Sequence, residues 1–173
     1  LPAIRGPSTA EVAPPDSGVL QRQGVRLAAA GTVPILGNAC GLGVEGSGWI
    51  VAPGVVVTNA HVVAGTEGDV VVRSSDDAAG VAGRALAFDS DNDLAVLAAP
   101  GLPGRVLDAV SSAKPGTAGA ILGFPRNGPF DARAARVGTT QTVITQDAYG
   151  LGRVRRAITP IRGLLRPGNS GGP

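Results

Sequence analysis

The stretch Gly48-Trp49-Ile50-Val51-Ala52-Pro53-Gly54-Val55-Val56-Val57-Thr58 is the longest mainly apolar run in the chain, and Pro53-Gly54 divides it. A helix crossing a membrane needs about 18 to 20 unbroken apolar residues, which neither half supplies. Each half is short, rich in β-branched or aromatic side chains, and bounded by a turn former. The stretch therefore predicts two strands, 48–51 and 55–58, folded about a Pro-Gly turn.

The same punctuation continues on both sides. Short β-like runs at 33–36, 69–73, 85–88 and 94–98, and then at 118–123, 133–137, 140–145 and 154–161, are each closed by Gly, Pro, Asn or Asp. No internal repeat and no long helical period interrupts them, so an all-β chain of two similar antiparallel barrels packed side by side fits better than a βαβ fold. Pro103-Gly104 is the natural internal boundary. Ahead of the strands, Asp16-Ser17 has the form of a helix N-cap before Val19-Leu20-Gln21-Arg22, and 25–30 could extend that short N-terminal helix past Gly24. Residues 1–16, with Pro2, Pro7, Pro14 and Pro15, read as an arm or linker. The expected organisation is an arm (1–16), a helix with a first barrel (17–104) and part of a second barrel (105–173).

Composition supports that reading. In 173 residues, 27 Gly and 14 Pro approach a low-complexity level, but 43% hydrophobic against 16% charged residues suits a packed core rather than disorder. The chain opens at Leu1 without a signal pattern, as a mature piece or an excised part of a longer protein would, and whatever targets it lies outside these residues. Up to residue 125 the chain carries seven basic and eleven acidic groups; beyond it stand eight arginines and two aspartates. That basic half lacks the interleaved aromatics of a nucleic-acid surface, and spaced arginines on strands are ordinarily a solvated face, so no nucleic-acid partner is expected.

Three places carry chemistry. His61, the only histidine, follows an apolar strand in Thr58-Asn59-Ala60-His61-Val62-Val63. A lone histidine is more often structural, yet it is the natural proton shuttle near neutral pH. Ser170 lies in Gly168-Asn169-Ser170-Gly171-Gly172-Pro173, which is either an ordinary surface turn or a nucleophile loop whose Gly168 and Ser170 N–H groups converge on an oxyanion. Of three acids in Asp89-Ser90-Asp91-Asn92-Asp93, Asp93 is the candidate, because it directly precedes the apolar run 94–97 that would anchor it. Asp89 and Asp91 are assigned to an exposed turn. The Asp-x-Asp-x-Asp spacing resembles the start of a calcium loop, but the following Gly and the later Glu are missing, and no metal or organic cofactor is implied. The order His61, Asp93, Ser170, with gaps of 32 and 77 residues, excludes an esterase in which serine comes first.

These three blocks, in this order, resemble the signature blocks of trypsin-like serine proteases of the HtrA branch. Gly46-Ser47-Gly48-Trp49-Ile50-Val51 is similar to the strand that precedes the histidine block there, and the likeness covers residues 32–173. Within the branch, the Pro-rich arm, Cys40 and the Arg166-Pro167-Gly168-Asn169-Ser170-Gly171-Gly172-Pro173 ending resemble membrane-anchored periplasmic proteases of actinobacteria.

The resemblance implies a chymotrypsin-like double β-barrel whose second barrel is incomplete in this chain. It also implies a serine endopeptidase acting on peptides or proteins, extracytoplasmic, and tethered to a membrane only through a segment this chain lacks. Leu164 would form the base of the primary substrate pocket and favour apolar side chains, since a basic one would bury an unpaired charge. Asn169 stands where digestive proteases carry an Asp that pairs with a freshly cut N-terminus, and an amide cannot form that ion pair. Cys40, by its residue type, is either a small buried hydrophobe or a thiol awaiting an outside partner. The resemblance implies a disulfide to a cysteine beyond this chain. A contrasting expectation is a non-catalytic binding module or inactive fragment, because the family's further strands would be needed to support the Ser170 loop and complete the substrate pocket.

Overall fold

The computed structural model describes residues 12–74 and 77–173. Most of the expected arm, residues 1–11, lies outside the described residues. Its end is seated: Val12 is buried, its carbonyl accepts from the Arg162 guanidinium, and the Pro14 carbonyl accepts from Arg136 Nε at 3.2 Å. Residues 12–14 are thus held rather than loose. Asp16 caps the next turn as its residue type predicts, accepting from Gly18 N at 2.9 Å. The single helix expected over this region is instead split. A 3₁₀ turn at Ser17–Gln21 stops at Arg22, which is extended, and α1 (Gln23–Ala29) starts afresh with Gly24 inside it. The break falls at Arg22, not at the glycine, and Val19 in the 3₁₀ turn before it is fully buried.

Six strands follow: β1 (Thr32–Ala39), β2 (Leu42–Ala52), β3 (Val55–Thr58), β4 (Val70–Ser74), β5 (Asp77–Asp89) and β6 (Leu94–Ala98), with a single turn α2 (Ala60–Val63) between β3 and β4. They close into a barrel in the order β1-β2-β3-β6-β5-β4, sealed where Ile35 pairs with Val72. The opening stretch behaves as expected. Trp49 pairs with Val57 and Ile50 with Val56, and Pro53-Gly54 turns the chain with Gly54 at φ +70°. Alternate residues point inward, so Val33, Ile35, Ile50, Val56, Val72 and Leu97 form one buried core.

The strands after residue 104 do not close. β7 (Ala118–Gly123), β8 (Asp131–Val137) and β11 (Ile161–Gly163) form a three-stranded sheet in the order β11-β8-β7, and β9 (Gln141–Gln146) pairs only with β10 (Arg153–Ile158). The run expected at 154–161 is two strands. Pro160 offers no N–H to a ladder, and its carbonyl instead accepts from Gly138 N at 2.7 Å as the chain crosses from the hairpin to the edge of β8.

Candidate active site

Three buried side chains of α2 and its start, Ala60, Val62 and Val63, pin a single turn onto the barrel, and His61 is the residue of that turn left facing outward. The turn between β5 and β6 brings Asp93 against it. Asp93 Oδ2 lies 2.7 Å from His61 Nδ1, while Oδ1 accepts from the His61 backbone N–H at 2.9 Å. A carboxylate can only accept, so Nδ1 carries the proton and Nε2 is left as the basic nitrogen. Asn59 Nδ2 donates to the Asp93 carbonyl at 2.8 Å, and Asp93 sits at φ +57°, in the left-handed region. That backbone turn, rather than burial of the neighbouring run, aims the carboxylate: Leu94 is exposed, and only Ala95 and Leu97 of 94–97 are fully buried.

Asp89 and Asp91 lie in the exposed part of the same turn. Asp89 organises it, accepting from Asn92 Nδ2 at 2.6 Å and from the N–H groups of Asn92 (2.9 Å) and Asp91 (3.0 Å). The Asn92 side-chain bond, ahead of the others, lowers the Asp89 carboxyl below its ordinary 3.8. A depressed acid favours the fold while ionised, so this tie is present above that pH and is lost as pH falls through the lowered value.

The Ser170 loop belongs to the open half but is docked on the closed barrel. Ser47 N–H donates to the Ser170 carbonyl at 2.8 Å, and Ser47 Oγ donates to the Gly168 carbonyl at 2.7 Å while accepting from Phe124 N at 2.9 Å. Thr58 Oγ1 in turn donates to the Ser47 carbonyl at 2.7 Å. Gly171, at φ +84°, is pressed so closely on this seam that a Cβ there would overlap Ser47 O and Thr58 Oγ1. The loop therefore sits beside Asn59 and the His61 turn. Ser47, fully buried, was legible only as part of a Gly-Ser-Gly string. Its bond to Gly168 spans 121 residues, and nothing local signals it.

Two peptide planes in the loop are fixed from behind. The Pro167 carbonyl accepts from Arg126 N at 2.9 Å, and the Asn169 carbonyl from Gly172 N at 3.0 Å. In a trans peptide the N–H points away from its C=O, so the N–H groups of Gly168 and Ser170 face the other way. Among the described residues neither donates to a protein acceptor. Ser170 Oγ and His61 Nε2 share no hydrogen bond among the described residues, and such bonds commonly tighten only once substrate is bound.

Asn169 is 3% exposed, its amide atoms have no partner among the described residues, and it borders a cavity of about 130 Å³ lined also by Ile121, Ala135 and Leu165. Leu164 is exposed, immediately after β11. Cys40 is exposed too, correcting the buried reading. It occupies the β1–β2 turn with Gly41, both at positive φ (52° and 74°), a geometry that puts its side chain on the surface.

Residues 46–173 match the family described as trypsin-like peptidase domain, and the chain belongs to that family. It is 34% identical to the serine protease Rv3671c of Mycobacterium tuberculosis (MarP) over the whole of this chain, which spans only 45% of that relative's length. Its backbone superposes on the crystal structure of the active form of the Rv3671c protease with a TM-score of 0.87, at 33% identity, covering all of this chain and 77% of that one. The fold is therefore chymotrypsin-like, with few helices and a six-stranded first barrel. The HtrA-type protease AlgW, solved with a tripeptide, shares the fold with a TM-score of 0.70 at 24% identity, over 86% of this chain and 48% of that one.

Proposed function

We propose that this chain carries the catalytic machinery of a serine endopeptidase. The observation that supports it most directly is the Asp93–His61 pair beside a Ser170 loop whose Gly168 and Ser170 N–H groups are unclaimed. In this reading His61 Nε2 takes the hydroxyl proton as Ser170 Oγ attacks a peptide carbonyl, and the carbonyl oxygen becomes an oxyanion facing the two N–H groups. The intermediate collapses to an acyl-enzyme as His61 protonates the leaving amine. Water then attacks the acyl carbon in the reverse sense, while Asp93 stays ionised and holds the imidazole. Each oxyanion donor is worth about 10²- to 10³-fold in rate.

Substrates are peptides or proteins, and Leu164 favours a small or medium apolar side chain at the cleavage position. The protein works outside the cytoplasm, with any membrane tether supplied by a segment outside this chain. Exposed Cys40 pairs with a cysteine of the longer protein. No helix among the described residues is long and apolar enough to cross a membrane, so none of these elements is offered as an anchor. With Asn169 in place of an acid, ordering of the loop rather than insertion of a new N-terminus sets the oxyanion site.

A fluorophosphonate probe should label the protein at Ser170, and Ser170→Ala should abolish labelling with the fold intact. Labelling that survives the substitution would point to another nucleophile. The opposing reading, a protease-like binding module, draws on the open sheets of the second half. It predicts no labelling in the wild type.

A further inference from the structure

The tip of the β9–β10 hairpin reaches the turn that carries Asp93. Ala148 N–H donates to the Ser90 carbonyl at 2.9 Å, and the Tyr149 ring lies 5.6 Å from that of Phe88, centroid to centroid, tilted by 38°. The tip is stiff in itself. The Asp147 carboxylate accepts from the N–H groups of Leu151 (2.9 Å), Tyr149 (3.0 Å) and Gly152 (3.0 Å), and Asp147 N closes the loop on the Gly152 carbonyl at 3.0 Å.

The opposite end of the turn is tied to the first barrel by Asn59, and its interior by Asp89. A non-glycine residue at positive φ is uncommon, and although an aspartate tolerates it better than most, what surrounds the turn decides where its carboxylate is aimed. Asn59 and His61 bond to Asp93 itself from the first barrel, while the hairpin tip bonds to the same turn at Ser90 and packs on Phe88.

We propose that Tyr149 and Ala148 are positioning residues, which clamp residues 88–93 and so keep the Asp93 carboxylate on His61 Nδ1. This rests on the reading of His61 and Asp93 as a proton relay. Neither clamp residue touches the reacting atoms. Their effect passes through the backbone of the turn, so a shift of the hairpin loosens the acid without contacting it.

His61 is the only histidine in the chain, so its ring N–H resonance, far downfield when bonded to a carboxylate, can be read by NMR without ambiguity. Tyr149→Ala, Phe88→Ala and the double variant are compared with the wild type, with far-UV circular dichroism as the check on folding. Tyr149 and Phe88 are both partly exposed, so truncation spares the core.

Each variant is expected to broaden or lose the Nδ1–H signal and to lower kcat about 10- to 100-fold, as small misplacements of catalytic groups do. KM should stay within about twofold, since ground-state binding is untouched. The double variant should match the single ones, because either removal opens the same clamp. Tyr149→Phe, which keeps the ring, should restore both readouts. A sharp Nδ1–H signal with unchanged kcat in folded Tyr149→Ala overturns the proposal. So does a rise in KM alone, which would make Tyr149 a substrate contact. If the wild type neither labels nor cleaves but its Nδ1–H signal is lost in the variants, the protease reading fails while the clamp stands.

Discussion

The six strands before Pro103 close on one another around a continuous buried core, while the five after it form an open sheet of three and a hairpin of two. Along β9 and β10 the side chains alternate between half-buried and exposed, and none is fully buried, whereas β1 buries Thr32, Val33 and Ile35 and β6 buries Ala95 and Leu97. The largest cluster of buried residues thus lies in the half that bears His61 and Asp93. Ser170 sits in the other half, and its loop is held from both sides: by Arg126 and Leu122 of its own half on the Pro167 and Pro173 carbonyls, and by Ser47 of the barrel on the Gly168 and Ser170 carbonyls, above the Ser47–Thr58 seam beneath Gly171. In this chain, which spans 45% of the length of its mycobacterial relative, the nucleophile loop is docked on the barrel that carries the base and the acid.

That contrast can be broken at either end. Leu97→Ala, in the closed core, should destabilise the protein by about 2–5 kcal/mol, read from chemical denaturation. A loss below 1 kcal/mol would mean the first barrel is not where stability resides. Ser47→Ala removes the hydroxyl that serves both Gly168 and Phe124 and leaves those backbone groups without it, at about 1–3 kcal/mol. Probe labelling of Ser170 should slow with it. Normal labelling would show that the seam does not hold the loop. Ile144→Ala, 67% exposed on β9, should change stability by less than about 0.5 kcal/mol. A larger loss would place a hidden core in the second half.

The strands were largely legible because glycine, proline, asparagine and aspartate mark their ends. β3, β6 and β7 fall where the runs predict, and β2 and β5 are longer because their ladders continue through glycines, Gly43 and Gly46 in β2 and Gly80 and Gly83 in β5, that read as strand ends. Elsewhere the chain departs from the runs: the helix breaks at Arg22, Pro160, with no N–H to give a ladder, divides a β-like run, and Cys40, of its two readings, takes the exposed one in a tight turn. Of the site, residue types and order pointed to His61, Asp93 and Ser170. Ser47 and Asn59 stood in the quoted blocks, but their supporting roles, like that of the hairpin tip, were not legible, because each acts across tens of residues on a backbone group that no local pattern records.

The most direct test of the account is the rate at which a fluorophosphonate labels Ser170 in the wild type and in His61→Ala, with thermal unfolding measured on both. If His61, fixed by Asp93, is the base that activates Ser170, labelling should slow by about 10²- to 10⁴-fold while the unfolding midpoint stays put. Equal labelling rates in the two proteins would contradict it.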